Sequence, residues 1–152
     1  MGKTATCQQL KKLLHSCVFL DGDWCWDAHP FVVTDETKAM VIDNICHLLN
    51  NFITCTAYQN IVFCWVMHQQ DIVDNLLSKL DLTECNVKVI SLVCDQDTLK
   101  SRLQQDIDNA KRTADVVNKA IERLPLYQQM NTTIIDTTNM NTHEVAQKIA
   151  VL

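Results

Sequence analysis

Apolar residues recur at two spacings along the chain, and the two alternate. Residues 4–15 place Cys7, Leu10, Leu13 and Leu14 on one side of a helix and Gln8, Gln9, Lys11 and Lys12 on the other, so a helix is predicted there. Residues 17–20 form a short apolar run that ends in Asp21-Gly22-Asp23, the pattern of a buried strand with two carboxylates at its C-terminal end. After a loop over 23–34 that contains Pro30, Met40, Ile42, Ile45, Leu48, Leu49 and Phe52 predict a helix over 35–51. The run IVFCWVM over 61–67 is continuous, β-branched and aromatic, which predicts a strand buried on both faces.

Further along, helices are predicted over 69–80, 96–107 and 114–124, and strands over 87–93 and 133–136. A last helix is expected over 142–151, with Thr142 as its N-cap and Val145, Ile149 and Leu152 on its apolar side. Short apolar strands alternating with longer helices imply an α/β fold in which helices cover both faces of a parallel sheet.

With 47% hydrophobic residues, two glycines, two prolines and no low-complexity linker, the sequence reads as one domain over 1–152. A formal charge of −5 argues against nucleic acid as a partner, since that affinity needs clustered Lys and Arg. The eight cysteines form no CxxC pair and no Cys/His cluster at zinc spacing, so they read as small buried hydrophobes. Without a basic and apolar leader at the start, a reducing cytoplasmic setting is expected. No apolar stretch approaches the roughly 20 residues that span a bilayer, so no membrane role is expected.

The chemistry begins at Gly2-Lys3-Thr4, the closing part of the phosphate loop GxxxxGK[ST]. In that loop backbone N–H groups face phosphates, the lysine bridges the β and γ phosphates, and the hydroxyl binds Mg²⁺. A helix follows directly, and its N-terminal N–H groups complete an anion site. Asp21 and Asp23, at a strand end, could serve the Mg²⁺ shell and an acceptor hydroxyl, because phosphoryl transfer needs mainly positioning and charge. The alternative is an ordinary solvated turn around Gly22. Trp24, Trp26, His29 and Phe31 follow, either as an acceptor pocket or as a cap on the core. Trp65 and His68, expected at the end of the next strand, could line the same rim, His68 touching substrate or capping a helix.

The order of these elements resembles the P-loop kinase family that includes shikimate, gluconate and nucleoside monophosphate kinases. The local markers are GKT at 2–4, LDGDW at 20–24, FCWVMH at 63–68, SRLQQD at 101–106 and IDTTNM at 135–140, and the resemblance spans essentially the whole chain. More narrowly, the chain is similar to bacterial P-loop nucleotide-kinase-like proteins of the AAA-type ATPases.

The resemblance implies a three-layer P-loop nucleoside triphosphate hydrolase fold and transfer of the γ-phosphoryl group of ATP, with Mg²⁺, to a small-molecule or nucleotide acceptor. It implies that Gly2, Lys3, Thr4 and Ala5 hold the nucleotide phosphates, that Thr4 and Asp21 serve the metal, and that Asp23 faces the acceptor. Arg102 and Arg112 would stabilise the transferred phosphate, Arg112 from a short lid that also holds Lys111, with Arg123 a weaker choice. The loop 136–141 would pack beside adenine. Family members also carry a central first strand and a Gly-rich turn before GKT. Neither is in this sequence, so the sheet is expected to lack that strand, its two neighbours to have unpaired backbone groups, and phosphate binding to be impaired. A kinase-like module that binds nucleotide or partner without catalysis is the alternative function, and oligomeric state stays open.

Overall fold

The computed structural model describes residues 2–108 and 115–152. In chain order the elements are α1 (Lys3–Leu13), β1 (Cys17–Asp21), a 3₁₀ turn (Gly22–Cys25), α2 (Asp35–Thr54), β2 (Asn60–Cys64), α3 (Gln70–Ser78), β3 (Ile90–Val93), α4 (Gln96–Asp108), α5 (Asp115–Gln128), β4 (Thr133–Asp136) and α6 (Thr142–Ala150). All strand pairing is parallel: β1 lies beside β2 and β3 beside β4, as two separate two-stranded sheets. No strand among the described residues joins them. The expected α/β class with parallel strands is therefore present.

Two compact units result. The first holds Gly2–Met67, Asp71–Val87 and Thr142–Leu152, and the second holds His68–Gln70 and Lys88–Asn141.

In the first unit, strand alternation sorts side chains to two faces. Phe19, Val62 and Cys64 pack with Cys7 and Leu10 of α1 and Ala146 of α6. Leu20, Ile61 and Phe63 pack with Val41, Ile42, Ile45 and Leu49 of α2 and Leu76 of α3. Helices thus cover both faces of this sheet. Because Asp21 shares its parity with Phe19, its carboxylate is delivered to the face that α1 occupies.

In the second unit, α4 and α5 close on each other through Leu99 and Leu103 against Val117, Ala120, Ile121 and Leu124. The carbonyl of Val89 accepts from Thr133 N–H at 2.9 Å and that of Val93 from Thr137 N–H at 2.8 Å, extending the β3–β4 pairing at both ends.

Several boundaries differ from the sequence reading. The apolar run expected as a strand over 61–67 pairs only through Cys64, so Trp65 and His68 lie beyond the strand. The strand expected over 87–93 starts at Ile90. Helix α2 runs three residues past Asn51, and α5 continues to Gln128 through Pro125. Thr142 is the first residue of α6 rather than its cap. Among the described residues no helix is long and apolar enough to cross a membrane.

Candidate functional site

The N-terminus of α1 is built differently from that of α2. Gly2 precedes it with φ 65°, a left-handed backbone that glycine adopts without a Cβ penalty. No side chain caps this end, and its first turn holds no acidic residue. Helix α2, in contrast, is closed by a capping box between Thr34 and Thr37 and carries Asp35 and Glu36 in its first turn. The open, positive end of α1 therefore suits an anion, and that of α2 does not. Lys3 is half-buried at this end, while Thr4 and Ala5 are exposed.

Across from it stands Asp21, only 4% exposed. Its Oδ2 accepts the Thr4 hydroxyl at 2.6 Å, and its Oδ1 accepts the Asp23 backbone N–H at 3.1 Å. The 3₁₀ turn at Gly22–Cys25 follows directly and makes the second bond possible. Gly22 is required there because a Cβ would collide with the Trp65 ring. The structure thus brings together Gly2, Lys3, Thr4 and Asp21 in one unit, 17 residues separating the two bonded side chains.

A hydroxyl and a carboxylate are hard oxygen donors of the kind Mg²⁺ takes, usually together with substrate phosphates. Among the described residues no group of three or more His, Cys, Asp or Glu could hold a metal by itself. Thr4 and Asp21 fit a Mg²⁺ that completes its shell with phosphate oxygens and water. Asp23 is exposed as the second residue of that turn.

Behind Asp21 sits a thiol that the sequence marks only as a small buried hydrophobe, and it is buried. Cys64 pairs in register with Asp21 on the neighbouring strand. A hydrogen bond to Cys7, burial and the Asp21 carboxylate all push the Cys64 thiol far above its ordinary value, so it stays protonated. Strand parity was the available signal, since residues paired across parallel strands share a face.

Trp24 and Trp26 differ in burial. Trp26 packs on the α2 core and against Phe31, ring centroids 4.7 Å apart. Trp24 is 56% exposed, with an edge contact to Phe19 at 5.2 Å. It lines an open cavity that includes Asn44 and His47 from α2, two residues also missed because only the apolar side of that helix was considered. His29 is exposed in the intervening loop, and His68 is half-buried and belongs to the other unit.

Arg102, expected on a transferred phosphate, is committed within the second unit. Its Nη1 donates to Thr137 Oγ1 at 3.2 Å, and its Nη2 to the carbonyls of Thr137 at 2.8 Å, Met140 at 3.1 Å and Thr138 at 3.4 Å. The guanidinium fork ties down the loop after β4, and Thr137 is itself 2% exposed and bonded to the Val93 carbonyl. Arg112 and Lys111 lie outside the described residues. Arg123 is half-buried on α5.

A glycine-led helix end facing a hydroxyl–carboxylate pair is the arrangement of a P-loop protein, and residues 1–125 match the AAA domain family. The chain belongs to this family. In fold it is similar to the tunicamycin resistance protein of Deinococcus radiodurans, with a TM-score of 0.74 and 22% sequence identity over 99% of this chain and 87% of that one. No curated protein matches it. This AAA-domain chain is accordingly a P-loop kinase-like protein of a nucleotide-binding class.

Proposed function

We propose that the protein transfers the γ-phosphoryl group of ATP to a small-molecule or nucleotide acceptor, with Mg²⁺ as cofactor. The observation that carries this reading is the 2.6 Å bond from the Thr4 hydroxyl to Asp21, set at the uncapped, glycine-led end of α1. In this reading the N-terminal N–H groups of α1 and the Lys3 ammonium hold the phosphates, and Thr4 and Asp21 hold the metal. Bound there, Mg²⁺ would neutralise charge on the β and γ phosphates. Asp23, exposed beside the pair, orients the acceptor hydroxyl and takes its proton.

A second reading, a kinase-like module that binds nucleotide without turnover, is favoured by one feature. Arg102 spends its donors on the 137–140 loop, where a transferase needs a cation on the moving phosphate. That role would then fall to Arg112.

Calorimetry of ATP with and without Mg²⁺, followed by an ADP-release assay over an acceptor panel, tests both. The fold neighbour's name puts tunicamycin in that panel beside nucleosides, sugars and their phosphates. Mg²⁺-dependent binding with acceptor-dependent ADP release supports the transferase. Binding with no release from any acceptor supports the module, and no ATP binding in either condition contradicts both.

A further inference from the structure

Within the unit that carries Thr4 and Asp21, the stretch that follows β1 is strongly acidic. Between residues 14 and 78 the sole Lys or Arg is Lys38, whereas Asp21, Asp23, Asp27, Asp35, Glu36 and Asp43 crowd the span 21–43. Lys38 pairs with Asp35 at 3.2 Å, and Lys79, the next cation along the chain, pairs with Asp43 at 3.2 Å. Beyond the phosphate end marked by Lys3, a phosphate or carboxylate placed along this acidic span would face like charge, and Lys38 and Lys79 already have carboxylate partners. Repulsion of this kind is what discriminates among partners of similar shape.

One residue beyond Asp23 the surface opens into a cavity of ≈ 380 Å³, lined by Leu20, Trp24, Cys25, Asn44, His47 and Leu48. That is within the size range of small-ligand sites, and the lining pairs apolar walls with a few polar groups. Trp24 is steadied by Phe19 yet more than half exposed, which leaves aromatic surface for stacking. Asn44 uses its Nδ2 on the Cys25 carbonyl at 3.3 Å, which fixes the amide and leaves its oxygen to accept a hydrogen bond. His47, one helical turn on, is exposed and adds a second polar contact. No side chain in this lining is a Lys, Arg, Asp or Glu.

From these observations we infer that the acceptor is an uncharged hydroxyl compound with a flat ring, of the nucleoside class, and not a phosphate- or carboxylate-bearing one. The inference rests on the phosphotransfer reading above and narrows it. The ring stacks on Trp24 and is hydrogen-bonded by Asn44 and His47, which sets a hydroxyl near Asp23. In the transfer, that hydroxyl oxygen forms its bond to the γ-phosphorus as the bond to ADP breaks, and its proton passes to the Asp23 carboxylate.

The test is calorimetric and fluorimetric titration of the whole chain with adenosine, guanosine, cytidine and uridine and with their 5′-monophosphates. ATP·Mg²⁺ is titrated separately. At least one nucleoside is expected to bind with a Kd tenfold or more below that of its own monophosphate. Trp24→Ala, Asn44→Ala and His47→Ala are each expected to weaken that nucleoside fivefold or more. All three positions are exposed, and thermal melts of each variant show whether it folds, so the three changes check one another. A monophosphate that binds as tightly as its nucleoside, the absence of binding by every nucleoside, or unchanged nucleoside affinity in the folded variants overturns the inference. If ATP·Mg²⁺ binds and the nucleosides do not, the inference fails while phosphotransfer stands. If a nucleoside binds as expected and ATP·Mg²⁺ does not, the cavity assignment holds and the phosphotransfer reading fails.

Discussion

A single methyl group at Gly22 would strike the Trp65 ring, so this position in the Asp-Gly-Asp turn has room for glycine alone. Gly22→Ala is expected to displace Trp65 from the α2 core and to destabilise the fold by about 1–3 kcal/mol, as overpacking does. Urea denaturation measures the loss, and an unchanged midpoint would contradict the described packing. At Arg102 the expectation concerns shape as much as charge. Its fork reaches Thr137, Thr138 and Met140, an arrangement a lysine cannot reproduce. Arg102→Ala is predicted to cost about 2–3 kcal/mol, since hydrogen bonds to a charged group contribute about 1.5–3 kcal/mol each and water recovers part of the loss. Arg102→Lys should recover little of it in the same urea assay. Asp21, Thr4 and Gly2 were legible because the motif and the Asp-Gly-Asp turn mark them. The structural use of Arg102 was not, because an arginine's partners depend on which carbonyls the fold brings within reach.

Among the elements, periodicity predicted identity well and ends poorly. The residues of β4 and the start of α4 were read directly from the pattern. The run 61–67 stays apolar to its last residue, so composition gives no sign that pairing stops at Cys64. Just beyond the paired residues, Trp65 packs beside Gly22 and on the α2 core. Helix α5 departs in the other direction, running past its expected end at 124 and through Pro125. A proline lacks the N–H that a helix interior uses, and so suggests a stop. Here it falls in the last turn of α5, and Tyr127, 7% exposed just beyond it, anchors that turn in the second unit. The α/β class was legible because alternation of short apolar runs with helical spacing is a property of the sequence itself. The distribution of the strands over two sheets is not written in that alternation.

For the molecule as a whole, five cysteines push the pH response in one direction, opposed by Cys7, whose thiol is lowered by its hydrogen bond with Cys64. Burial pushes the thiols of Cys17, Cys25, Cys46 and Cys94 above their ordinary value, and a hydrogen bond to Cys7 with burial does the same for Cys64. The unfolded chain releases these protons from about pH 8.5, while the folded chain keeps them to higher pH. The unfolded state then binds fewer protons than the native one, so stability falls as pH rises past that point and is fully present below it. Thermal melts from pH 7 to pH 10 under reducing conditions should show a progressive fall in Tm beginning near pH 8.5, and a flat profile would contradict the buried, protonated thiols.

In the proposed function Thr4 and Asp21 form the metal side of a nucleotide phosphate site. Its most direct test is calorimetric titration of ATP into the native chain and Asp21→Asn, each with and without Mg²⁺. Mg²⁺ is expected to tighten ATP binding by the native chain tenfold or more, and Asp21→Asn is expected to lose most of this gain. Equal affinity with and without Mg²⁺, or a Mg²⁺ effect that survives in Asp21→Asn, would contradict it.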